Sequence, residues 1–229
     1  TIDEVRTATT ASYVAAGRGV ADAERRWAAE TAALLRETIG ARARVGIERV
    51  NAGAAIALAS EGFDLVDAQE PVERARSIKG DEEIACIRAS LEATEDAMAA
   101  MQQAVEPGLT ENELWSVFHQ HVIARGAGYI ETRLSKSGVG ANPWFQETDD
   151  SVIEANSLIA FDTGVVGCHG YYSDFSRTFH VGPGKPSTLQ REMYAVAYDQ
   201  VQHNIGVISA GLTFQEYSER AWDLPAKYA

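Results

Sequence analysis

The chain has little cysteine, few positive charges and no long apolar run, and each shortage excludes something. Two cysteines in 229 residues, Cys86 and Cys168, make no disulfide framework, which points to a reducing cytoplasm. Twenty Lys and Arg against 33 Asp and Glu give a net charge of −13, so no basic stripe is available to follow a nucleic-acid backbone. No apolar run approaches the roughly 20 residues that cross a bilayer, so no membrane partner is expected. The first residues, TIDEVRTATT, hold neither the apolar core of a signal peptide nor an initiator methionine, and the chain is expected to begin inside a longer protein. Its 45% apolar and 23% charged content is that of an ordinary globular protein.

Residues 1–77 read as alternating helix and strand, a small α/β layer without site chemistry. Helices are predicted at 22–39, with Trp27, Leu34, Leu35 and Ile39 on one apolar face, and at 52–60; short strands are predicted at 43–47 and 63–66. A linker over 69–83 leads to a long helix whose apolar positions Ile84, Ile87, Leu91, Thr94, Met98, Met101 and Val105 recur in steps of three and four. Thr110 and Glu113 form a capping box for the next helix, which carries His119 and His121. These two histidines face different sides and do not chelate one ion.

A strand at 129–134 and a long loop at 135–157 follow. Within the loop, Trp144 and Phe145 either wall a substrate pocket or plug the edge of the core, and Asp149 and Asp150 read as a solvated tip. Gly138 and Gly140 are no dinucleotide fingerprint, because Pro143 intervenes and no helix opens.

The chemistry concentrates in LIAFDTGVVGCHGYYSDFSRTFHV, residues 158–181. It reads as two strands joined by a turn bracketed by Gly167 and Gly170, with Asp162 in the first strand and Asp174 in the second. A turn centred on Cys168 would oppose the two aspartates directly, with Cβ atoms roughly 4.5–5.5 Å apart. Two carboxylates that close need a cation or a shared proton, and one or two divalent ions are the natural occupants. A helix capped by Ser187 or Thr188 follows, with Met193, Ala197, Val201, Ile205 and Ile208 on its apolar face, and one more opens at Thr213 and Glu216.

Gly-Leu-Thr-x-x-Glu occurs at 108–113 and again at 211–216, each time between a long amphipathic helix and a second helix. That order implies a structural duplication whose second copy has only 18 residues after Gly211. The segment FDTGVVGCHGYYSDFSRTF resembles the first metal-ligand segment of the creatinase/aminopeptidase P family (M24, pita-bread fold), and the resemblance covers about residues 64–229.

It implies an α/β (α+β) pita-bread catalytic domain over 78–229, incomplete, behind a partial creatinase-type N-terminal domain over 1–77. It also implies two divalent metal ions (Mn, Fe, Co or Zn), with Asp162 chelating one and Asp174 bridging both. A His and two Glu would come from a second half absent here, so the chain alone should bind metal weakly and lack activity. The implied activity is hydrolysis of the Xaa-Pro aminopeptidase or dipeptidase type, a metal-bound hydroxide attacking the peptide bond of a small peptide, in a homodimer. Two features depart from the peptidases: the turn carries one more residue, and NPWFQE stands where a substrate-binding His is common. Both are similar to the dimethylsulfoniopropionate lyase branch of the fold, which has a further acid where this chain has Gly164. The alternatives are therefore that lyase and a non-catalytic peptide- or protein-binding member.

Overall fold

The computed structural model describes residues 4–41, 43–143 and 145–228. They form two units, one through Gly80 and one from Asp81 onward.

In the first unit, helices α1 (Tyr13–Ala16), α2 (Val20–Ile39), α3 (Ala52–Ser60) and α4 (Gln69–Ser77) accompany two parallel strands, β1 (Arg44–Ile47) and β2 (Asp64–Asp67). Helix α2 buries Ala23, Ala28 and Ala32 rather than the predicted large face. Trp27 and Leu35 pack on the small core of Ala28, Ala32, Leu58 and Phe63, whereas Leu34 and Ile39 are exposed. The expected linker contains α4. It buries nothing; Glu70 in its first turn and Arg74 and Arg76 in its last favour it locally, so no apolar period could reveal it.

In the second unit, α5 (Asp81–Gln103) and α6 (Glu111–Ala124) cover one face of a four-stranded sheet. Its strands are β3 (Tyr129–Ile130), β4 (Leu134–Ser137), β5 (Leu158–Val166) and β6 (Tyr172–His180). Strand β5 is central: β3 and β4 share one of its edges and β6 takes the other, all antiparallel. The covered face is built from alternate residues, Ile159, Phe161 and Val165 of β5 with Phe175 and Phe179 of β6, against Met98, Met101, Leu114 and Phe118. Trp115, Phe118 and Phe161 form an aromatic centre with ring centroids 5.0–5.3 Å apart.

The predicted strand at 129–134 is split. Ile130 pairs with Val165 and Leu134 with Asp162, so three residues, 131–133, oppose two, a β-bulge. Strand β4 also runs into the expected loop as far as Ser137. Capping boxes close at Thr110–Glu113 and Thr213–Glu216. The latter opens α8 (Phe214–Arg220), which follows α7 (Thr188–Val207), capped by Ser187. The apolar side of α7 is not buried among the described residues: Met193, Tyr198, Val201 and Ile205 are about half exposed. Among those residues, no helix is long and apolar enough to cross a membrane.

Candidate metal centre

The turn between β5 and β6 is one turn of 3-10 helix, Cys168–Gly170, closed by the Gly167 N–H donating to the Tyr171 carbonyl at 2.9 Å. His169 (φ 51°) and Gly170 (φ 83°) both take the left-handed region. The reversal is thus centred on His169, not Cys168, and the expected direct opposition of the aspartates is corrected. Asp162 pairs with Ser176, and Asp174 pairs with Gly164.

The displacement is two residues, an even number, so both aspartates keep the same face of the sheet. They are diagonal neighbours, roughly 7 Å apart at Cα. A carboxylate reaches about 2 Å to a metal beyond its own length, so a diagonal pair can still share one ion or a close pair of ions. Their face is the one that α5 and α6 leave open: Asp162 is half-buried and Asp174 exposed. The Ser176 hydroxyl donates to Asp162 Oδ1 at 2.5 Å and holds that carboxylate in place.

A third acid, which sequence reasoning missed, reaches this face. At the start of the bulge the Glu131 N–H donates to the Gly164 carbonyl at 2.8 Å, which sets Glu131 opposite Gly164 on the other edge of β5 from Asp174. A β-carbon on Gly164 would lie 3.2 Å from Glu131 Oε2 and 3.6 Å from Glu131 Cβ. The Glu131 side chain therefore lies over Gly164, filling space that a side chain there would take. A glycine inside an otherwise apolar strand signals a close approach, and that was the available clue. Among the described residues, no three His, Cys, Asp or Glu side chains close into a metal cage. The donor chemistry, hard carboxylate oxygens on one open face, nevertheless suits a divalent cation that takes further ligands from elsewhere.

The loop side of the sheet is held by charge. Lys136 Nζ donates to Glu111 Oε2 at 2.8 Å and to Asp149 Oδ2 at 2.6 Å, and Glu111 Oε1 accepts the Ser137 N–H and hydroxyl. Burial pulls the Lys136 ammonium down, but Asp149 and Glu111 outweigh it and hold it above the ordinary lysine range. Asp149 is held well below the carboxylate range by Lys136, and further by Ser151. Asp149 is thus no idle loop tip, although its side chain stays 59% exposed. Phe145 is 74% exposed with φ 70°, so it does not plug the core; Trp144 lies outside the described residues. Arg177 packs its guanidinium over Phe175 at 3.8 Å from the ring centre.

A sheet with helices on one face, aspartates on the other and a duplicated helix–box–helix order defines a pita-bread half. Residues 85–229 match the profile of metallopeptidase family M24, and the chain belongs to that family. It is 34% identical over 204 residues to the dimethylsulfoniopropionate lyase DddP of Roseovarius nubinhibens, covering 87% of this chain and 46% of that protein. It is 32% identical over 164 residues to the Xaa-Pro dipeptidase of Lactobacillus helveticus, covering 70% and 44%. The Xaa-Pro dipeptidase structure from Bacillus anthracis superposes with a TM-score of 0.73 at 23% identity, covering 88% of this chain and 60% of that one. The chain spans a little under half the length of the two curated relatives.

Proposed function

We propose that the protein is a metal-dependent enzyme in which Asp162 and Asp174 hold two divalent cations. The observation that carries this reading is the β5–β6 register, which sets both carboxylates on the one face of the sheet left open by the helices. The Ser176 hydroxyl orients Asp162. Glu131, leaning over Gly164, adds negative charge beside the pair and is available as a further donor. Divalent cations held there would polarise a substrate carbonyl or carboxylate. The His and two Glu that complete the ligand set are expected from the part of the relatives that this chain does not span. Phe145 would supply an aromatic wall against a small substrate. A cytoplasmic homodimer belongs to the same reading.

Two reactions fit that centre. Hydrolysis of an Xaa-Pro bond is supported by family membership and by the dipeptidase relative. Elimination from a small sulfonium acid is supported by the wider match to a lyase: 204 aligned residues exceed the second unit and reach well into the first. NPWFQE, in place of a substrate-binding His, favours the lyase as well, and we rank it ahead. The test is the whole protein with added Mn²⁺, assayed for dimethyl sulfide from dimethylsulfoniopropionate and for proline from an Xaa-Pro dipeptide. Whichever product forms, Asp162→Asn and Asp174→Asn should each lower its rate by about 100-fold or more. An unchanged rate would overturn the metal reading, and absence of both products would leave a binding member of the fold.

A further inference from the structure

The two cysteines are 82 positions apart in sequence, yet the fold brings their backbones to one serine hydroxyl where the β5–β6 turn meets α5. That approach is unusually close. A β-carbon on Gly167 would lie 2.5 Å from Ser90 Oγ, 2.8 Å from Ser90 Cβ and 3.0 Å from Ser90 Cα, so the turn lies directly on the helix backbone. Cys168 is the next residue, and Cys86 is one helical turn before Ser90. Ser90 Oγ accepts the Cys168 N–H at 3.0 Å and shares its own proton between the carbonyls of Cys86 (3.0 Å) and Tyr171 (2.9 Å). One hydroxyl thus ties both cysteine backbones. Both residues are half-buried, hence open to small oxidants.

We propose that Cys86 and Cys168 are a redox pair that forms an intramolecular disulfide with a hydroperoxide, stapling the turn of the aspartate hairpin to α5. Burial, then Cys168 and Glu83 beside it, hold the Cys86 thiol above the ordinary range, which suits it to the resolving role. The Cys168 thiol gives up its proton and the thiolate attacks the peroxide, breaking the O–O bond; a sulfenic acid forms, and the departing hydroxide takes up that proton as one water. The Cys86 sulfur then attacks the sulfenyl sulfur; the S–S bond forms, the S–O bond breaks, and the departing hydroxide takes the Cys86 proton as a second water. Two thiols lose two electrons and one hydrogen peroxide gains them. The chemistry does not depend on what the metal face does.

The test is non-reducing peptide mass mapping of the folded chain after treatment with hydrogen peroxide, with a count of free thiols and a thermal melt. The expected product is a monomer with no free thiol and a Cys86–Cys168 peptide two hydrogens lighter. Its melting midpoint should rise by roughly 5–15 °C, because the crosslink closes a long loop, and dithiothreitol should reverse the change. In Cys86→Ser, Cys168 should stop at the sulfenic acid, trapped by dimedone, with no thermal shift. Free thiols that survive in the folded chain but not in the denatured one would overturn the proposal. So would crosslinks formed only between chains.

Discussion

A buried lysine with two carboxylates has one feature that its surface counterparts lack: neither Lys136 nor Glu111 can turn to water when the other is removed. Their side chains are 9% and 2% exposed, whereas most other ion pairs of the described residues are well exposed. Lys136→Met should therefore strand the Glu111 charge and cost about 3 kcal/mol in urea unfolding, while Arg74→Met, at an exposed pair, should cost less than about 0.5 kcal/mol. The same cluster sets a pH dependence. The Asp149 carboxyl is depressed in the folded chain, so its contribution is complete above the unfolded value near 4 and is lost as pH falls below it. Lys136 is raised, so its contribution is complete below about pH 10 and is lost as pH rises further. Urea midpoints of Asp149→Asn and wild type should draw steadily together as pH falls below about 4. None of this was visible in sequence. Lys136 and Asp149 are 13 positions apart with a loop between, and no periodicity relates a loop acid to a strand lysine. Glu131 was hidden for a related reason: its place over Gly164 depends on a bulge that only the pairing registers disclose.

Among the elements, the aspartate hairpin depends on α5 as much as on its own strands. The helix presents Ser90 and Thr94, both buried, and Thr94 Oγ1 lies 2.7 Å from the Ser173 hydroxyl, the residue before Asp174. The Tyr171 hydroxyl donates to Glu83 at 2.8 Å. Thr94, counted in the sequence among apolar positions, thus belongs to a polar seam that sets where β6 lies. Gly167→Ala should break that seam, since its β-carbon meets helix backbone; a loss of about 1–3 kcal/mol is expected from thermal or urea unfolding. Gly164→Ala is tight only against the movable Glu131 carboxylate, its other neighbours lying at ordinary contact distance, and should cost less than Gly167→Ala. Helices with a strong apolar period or a capping box were legible to within a few residues, as α5 and α6 show. The turn was not: residue counting gives the right face for both aspartates, but His169 adopts a left-handed conformation that composition does not announce.

At the scale of the whole chain, the second unit holds one closed core and one open side. Beneath β5 and β6, Phe118, Phe161, Met101 and Leu114 are almost inaccessible. Above them lie Asp162, Asp174 and Glu131, and α7 carries a row of half-exposed apolar residues. The fold class and the family were legible because a short acidic hairpin and a repeated capping box carry them. The substrate was not, because the two aspartates serve the hydrolase and lyase readings alike.

The most direct measurement is the order in which backbone amide signals of the folded chain broaden as paramagnetic Mn²⁺ is added, compared with an Asp162→Asn/Asp174→Asn double variant. Binding weaker than micromolar is expected, with residues 131, 162–164 and 174–176 broadening first in the wild type and losing that priority in the variant. Broadening that begins elsewhere, or that is the same in both proteins, would contradict a metal face on this sheet.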